Sequence, residues 1–86
     1  MNILEEISAN LQKGKAKIVK ELVQQAIDEN IPAKQILEEG LLSGMDVIGE
    51  KFKNNEVFVP EVLVAARAMN MGAALLKPLL ADGENT

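Results

Sequence analysis

The stretch Gly40–Pro60, GLLSGMDVIGEKFKNNEVFVP, concentrates the unusual residues of this 86-residue chain. It holds the only two aromatic side chains, Phe52 and Phe58, and three of the six glycines, in a segment that otherwise predicts a helix. A glycine in a helix interior costs about 1 kcal/mol relative to alanine. Such glycines usually allow another helix or a ligand to come close. The two aromatic residues on either side of one turn predict an apolar patch at one end of a helical bundle.

The helix that carries most of this stretch is predicted from about Ala33 to Phe52. Gly40 and Gly44 lie four residues apart, on one side of that helix, so a neighbouring backbone can approach there. Asn54 and Asn55 supply the turn that follows, because asparagine tolerates positive φ angles.

Two shorter helices are predicted on the N-terminal side. Asn2 can cap the first one, which ends at Gly14 in the left-handed conformation. The second runs from about Lys15 to Glu29, with apolar residues at helical spacing on one face. Asn30 can serve as its C-terminal cap.

A fourth helix is predicted from Pro60 to about Leu80. The segment Val62–Leu76 is apolar nearly all round, which predicts a buried helix. It is short for a membrane span and carries Arg67 near its centre, so no membrane is predicted. Residues 82–86 predict a linker or tail after a helical domain of residues 1–81. The fold class is therefore all-α, an antiparallel four-helix bundle.

Composition excludes several functions. The chain has no cysteine and no histidine, so it has neither thiolate nor imidazole ligands for a metal and no histidine base. The net charge of −4 argues against binding to nucleic acid. No segment has the pattern of a signal peptide, which favours the cytoplasm. We therefore expect a protein that is not an enzyme by itself.

The residue pattern alone leaves the role of the apolar patch open. Methionine at helical spacing, as at Met45, usually fills gaps in a core. By the same criterion, Phe52 and Phe58 are more often core side chains than contact residues on a surface.

A resemblance to a known family covers nearly the whole chain. The segment Gly40–Pro78 resembles the small helical domain that precedes the cobalamin-binding domain in methionine synthase and related corrinoid proteins. The features that carry this resemblance keep their order and spacing here: Gly40-Leu41, Gly44-Met45, Val47-Ile48-Gly49, Phe52, Phe58-Val59-Pro60, Ala65-Ala66 and Lys77-Pro78.

In that family the helical domain caps the upper face of the corrin ring and shields the methyl group on cobalt. The resemblance implies that Phe52 and Val59 meet the methyl ligand. It also implies that Val62 and Met45 are secondary contacts, with Phe58 as a supporting wedge. The implied cofactor is cobalamin, as methylcobalamin or a related corrinoid, contacted on its upper face only. We do not expect this chain alone to bind it tightly.

The resemblance also implies partners. In the family, a doubly wound cobalamin-binding domain supplies the lower axial histidine from an Asp-x-His-x-x-Gly segment, which this chain lacks. We expect the chain to be a cap separated from that downstream domain, serving methyltransferase subunits. The alternative is a helical interaction domain without a cofactor role, which uses its apolar end to form a homodimer or to hold a protein partner.

Overall fold

The computed structural model describes residues 2–84, with side chains described for residues 2–80. These residues form four helices and no strand, which confirms the all-α bundle. The helices are α1 (Ile3–Gln12), α2 (Ala16–Asp28), α3 (Ala33–Gln35, Ile36–Leu42 and Ser43–Lys53 in one continuous helix) and α4 (Val59–Glu84).

The first three helices end in the same way. Gly14, Asn30 and Asn55 follow them with positive φ angles of 72°, 66° and 62°. In each case the next amide donates to a carbonyl five residues earlier, at 3.0, 3.1 and 2.8 Å. This is the Schellman motif, which satisfies carbonyls that a helix end leaves without partners. The caps predicted at Gly14 and Asn30 are confirmed, and Asn55 is the turn residue that takes the positive φ.

Helix α1 packs on both α2 and α3, and α4 packs on the same two helices. The start of α1 is fixed by Asn2, whose side-chain oxygen accepts a hydrogen bond from the Glu5 amide at 2.9 Å. All four helices contribute to one core. Its buried apolar residues are Leu4, Ile7, Leu11, Val19, Val23, Ala26, Ile36, Leu41, Ile48, Ala65, Ala68 and Leu76.

The middle of α3 departs from the prediction, because Ile36–Leu42 is π-helical. Ile36, Gly40, Gly44 and Ile48 are four residues apart and are all buried. In an α-helix, positions four apart drift round the axis by about 40° per step. The wider π turn rotates less per residue and so reduces this drift. The segment thereby keeps all four residues turned towards the other helices.

The two glycines of this stretch bring α1 close to α3, as predicted. A Cβ atom on Gly40 would lie 3.2 Å from Cγ2 of Ile7. A Cβ atom on Gly44 would lie 3.1 Å from the carbonyl oxygen of Ser8. Any larger residue at these positions would push the two helices apart.

The prediction that the fourth helix is buried nearly all round is wrong. Leu63 is 63% exposed and Val64 is 48% exposed. The helix packs mainly on α2 and α3, which cover only part of its circumference. Its buried residues therefore form one narrow stripe, of which Ala65 and Ala68 are part.

Two further features of α4 concern its length. The helix continues past Leu80 with Pro78 inside it, and the predicted tail at residues 82–86 lies partly outside the described residues. The part Val59–Leu80 meets the length and composition criteria for crossing a bilayer, at a mean hydropathy of 1.3. The same part supplies Ala65, Ala68 and Leu76 to the core, as a helix of a globular bundle does.

Candidate functional site

The end of α3 and the start of α4 expose an apolar surface. Phe52 in the last turn of α3 is 47% exposed. Phe58, directly before α4, is 68% exposed, and Val59 is 54% exposed. The interpretation of Phe52 and Phe58 as core side chains is therefore wrong. We call this region the α3–α4 surface, and its residues are Met45, Gly49, Phe52, Phe58, Val59, Val62, Leu63 and Ala66.

On α3 the surface follows one face of the helix. Met45, Gly49 and Phe52 are spaced by four and three residues, which places them above one another. Met45 is half-buried and packs against the core, and Ile48 lies behind the surface at 2% exposure. The exposed tip of this face is therefore held on a rigid, packed element.

On α4 a matching face begins at the first residue. The face begins at Val59 and continues three, four and seven residues later, at Val62, Leu63 and Ala66. This spacing is the pattern of one helix face. Val62 and Ala66 are half-buried, whereas the side chain of Leu63 is exposed to solvent. Sequence reasoning missed Leu63, although its position one turn after Val59 was a usable signal.

The connection between the two helices is short and internally bonded. The Glu56 amide donates to the carbonyl of Lys51 at 2.8 Å and closes the end of α3. The Phe58 amide lies 3.4 Å from the Glu61 carboxylate, a long hydrogen bond at the start of α4. Because only residues 54–58 separate the helices, Phe52 and Val59 lie at the same end of the bundle.

The chemistry available to this surface is limited to packing and exclusion of water. Within the part of the chain that the structure describes, no group of three or more His, Cys, Asp or Glu residues is placed to hold a metal ion. Ser43 is half-buried in α3, and no histidine exists to act as its base. Aliphatic and aromatic side chains offer a ligand neither a nucleophile nor a proton.

The described residues thus form a small four-helix module with an exposed apolar surface. Comparison with known proteins then gives its family. The family model described as B12 binding domain matches residues 3–77. The chain therefore belongs to the B12 binding domain family, and the resemblance to the helical domain of corrinoid proteins is confirmed.

Curated relatives include corrinoid proteins of Desulfitobacterium and Methanosarcina species. A corrinoid protein of Desulfitobacterium hafniense is 37% identical over 81 residues, which are 94% of this chain and 38% of that protein. The dimethylamine corrinoid protein of Methanosarcina barkeri is 36% identical over the same shares. The chain thus spans less than two fifths of the length of these relatives.

A solved structure shows the same fold. The monomethylamine corrinoid protein of Methanosarcina barkeri superposes with a TM-score of 0.87 at 28% identity. The match covers 91% of this chain and 37% of that one. The bundle therefore has the fold of a helical part of that corrinoid protein, and none of the comparisons tests which of its side chains contact a corrin.

Proposed function

We propose that this chain is the helical cap of a corrinoid protein. In this proposal the α3–α4 surface covers the upper face of the corrin and shields the methyl group bound there. The supporting observations are the family membership, the likeness to a corrinoid protein structure and the position of the exposed apolar residues. The cobalt of the cofactor, when bound, carries the methyl group.

The observation that carries the proposal is the exposure of Phe52 and Val59 beside a complete core. The core already buries apolar residues from all four helices, so these two side chains are not needed to fill it. Apolar residues that lie together on a surface usually mark a contact with a ligand or a partner. A flat apolar ligand placed against this end of the bundle would contact Phe52 and Val59 first.

Five residues of the surface have a proposed role. Phe52 and Val59 contact the methyl group, and Val62 and Met45 support them from half-buried positions. Phe58, the most exposed of the five, is the wedge beside them. The side chains fit this purpose because they are apolar and exclude water from the methyl group.

In this proposal, the lower side of the cofactor site is supplied by residues other than those of the bundle. A lower axial histidine cannot come from a chain without histidine. We assign it to a downstream cobalamin-binding domain of the doubly wound type, in keeping with the 38% of the relative's length that this chain spans. Methyltransferase subunits would act on the assembled corrinoid protein, so the chain itself is not an enzyme. Its location in the cytoplasm is part of the same proposal.

A second candidate function rests on the exposed face of α4. Leu63 and Val64 extend the apolar area beyond the residues assigned to the corrin. Such a face could hold a second copy of the chain, as in a homodimer without a cofactor role.

A fusion protein tests the proposed function. The matched helical region of the Methanosarcina barkeri monomethylamine corrinoid protein is replaced by this chain, and a second protein lacks the region altogether. Both are loaded with methylcobalamin, and loss of the methyl group under light is followed by visible spectroscopy. We expect slower loss in the fusion protein. Equal rates in the two proteins would contradict a capping role.

A further inference from the structure

Gly49 differs from the other helical glycines with described surroundings. At Gly40, Gly44 and Gly72, the place of a Cβ atom has a side-chain atom only 2.9 to 3.2 Å away. Each of these three glycines therefore permits a close contact within the bundle. At Gly49 no atom lies within 4 Å of the place where a Cβ would be. The fold makes no use of the missing side chain there.

The backbone does not require glycine at this position either. Gly49 lies in the interior of the segment Ser43–Lys53, and its φ angle is not positive. Glycine is the least favourable residue in a helix interior apart from proline. A glycine that is required neither by packing nor by conformation usually serves the approach of something from outside.

The position of Gly49 indicates what approaches. It lies between Met45 and Phe52 on the face of α3 that belongs to the α3–α4 surface. The seven helical steps from Met45 to Phe52 span about 10 Å along the helix axis. Between these two apolar side chains, the absent Cβ leaves a shallow gap whose floor is the helix backbone itself.

We propose that Gly49 is the point where the corrin ring comes against the backbone of α3. This inference rests on the proposed function and adds a residue that sets the distance between ring and helix. A flat macrocycle that contacts Phe52 and Met45 must pass over position 49. Any side chain there would hold the ring away from both neighbours.

Substitutions in the fusion protein test the inference. Gly49→Leu adds bulk within the gap, and Gly49→Ala adds a single methyl group. Glu50→Leu is the matched control, because it adds an apolar side chain to the next exposed position, about 100° round the helix. We expect Gly49→Leu to lose the methyl group about tenfold faster, a docking penalty of about 1.4 kcal/mol. Gly49→Ala should fall between Gly49→Leu and the unsubstituted fusion protein, and Glu50→Leu should match the latter.

A measurement without cofactor separates this role from a structural one. Because alanine is the better helix former and has free space at position 49, Gly49→Ala should raise the melting temperature of this chain by a few degrees, roughly 3–8 °C. A lower melting temperature would mean that the fold needs the glycine, and it would overturn the inference.

The two proposals fail in different ways. If the unsubstituted fusion protein protects the methyl group and Gly49→Leu protects it equally well, the inference about Gly49 is wrong and the capping role stands. If the unsubstituted fusion protein gives no protection, the capping role falls and this inference falls with it.

Discussion

The place of a Cβ atom on Gly44 lies 3.1 Å from the carbonyl oxygen of Ser8, so α1 meets α3 backbone to backbone at this point. We expect Gly44→Ala to lower the free energy of unfolding by about 1–3 kcal/mol, the usual cost of overpacking. Urea melts of the two proteins measure it. Gly49→Ala is the matched control in the same helix, and it should instead raise the free energy of unfolding by about 0.5–1 kcal/mol. Changes of the same sign at both positions would contradict the difference between Gly44, whose Cβ position is crowded, and Gly49, whose Cβ position is free.

Phe52 and Ile48 should respond differently to truncation, although they are one turn apart. Phe52 is 47% exposed, so Phe52→Ala should cost about 1 kcal/mol or less. Ile48 is 2% exposed, so Ile48→Ala should cost roughly 2–5 kcal/mol. Urea melts on monomeric protein give both values. Equal and large losses would place Phe52 in the core and remove it from the α3–α4 surface.

The helix ends and the bundle could be predicted from the sequence because they depend on local chemistry. Gly14 and Asn30 mark their helix ends through the positive φ angle that a Schellman motif requires. The spacing of Gly40 and Gly44 likewise predicted the approach of a neighbouring helix, which is α1. These features need no knowledge of the rest of the fold.

The remaining features depend on how many neighbours each residue obtains. Phe52 suits a core and a surface equally well by its chemistry, and only the packed structure shows it exposed. Leu63 lies in a run of apolar residues that predicted a buried helix, and composition does not tell which faces of a helix its neighbours cover. The π-helical turn of α3 depends on keeping positions four apart on one side, a tertiary requirement with no local sequence signal.

The exposed apolar face should cause self-association of the isolated chain. We expect concentration-dependent dimerisation in sedimentation measurements, since contiguous apolar surface tends to be covered. Leu63→Lys should weaken it, because it places a charge on the α3–α4 surface. Ile18→Lys is the control, at an exposed apolar residue of α2 outside that surface. A monomer at millimolar concentration, or equal effects of both substitutions, would speak against this surface as the contact.

Free methylcobalamin should bind the isolated chain more weakly than micromolar. One apolar face without an axial ligand must offset the lost translational and rotational freedom of the partners, and a micromolar dissociation constant needs about 8 kcal/mol. Titration calorimetry and the visible spectrum measure the affinity and any ligation of the cobalt. Micromolar affinity, or a spectral shift typical of a new ligand, would mean that the chain does more than cover the ring.

The role of the α3–α4 surface as a cap is tested most directly by Phe52→Ala in the methylcobalamin-loaded fusion protein. Ile18→Ala is the control, because Ile18 is an exposed apolar residue of α2 outside that surface. We predict that Phe52→Ala speeds loss of the methyl group under light by about tenfold, corresponding to about 1.4 kcal/mol of lost contact, while Ile18→Ala leaves the rate unchanged. Loss at the unsubstituted rate in both variants would contradict the assignment of this surface to the corrin.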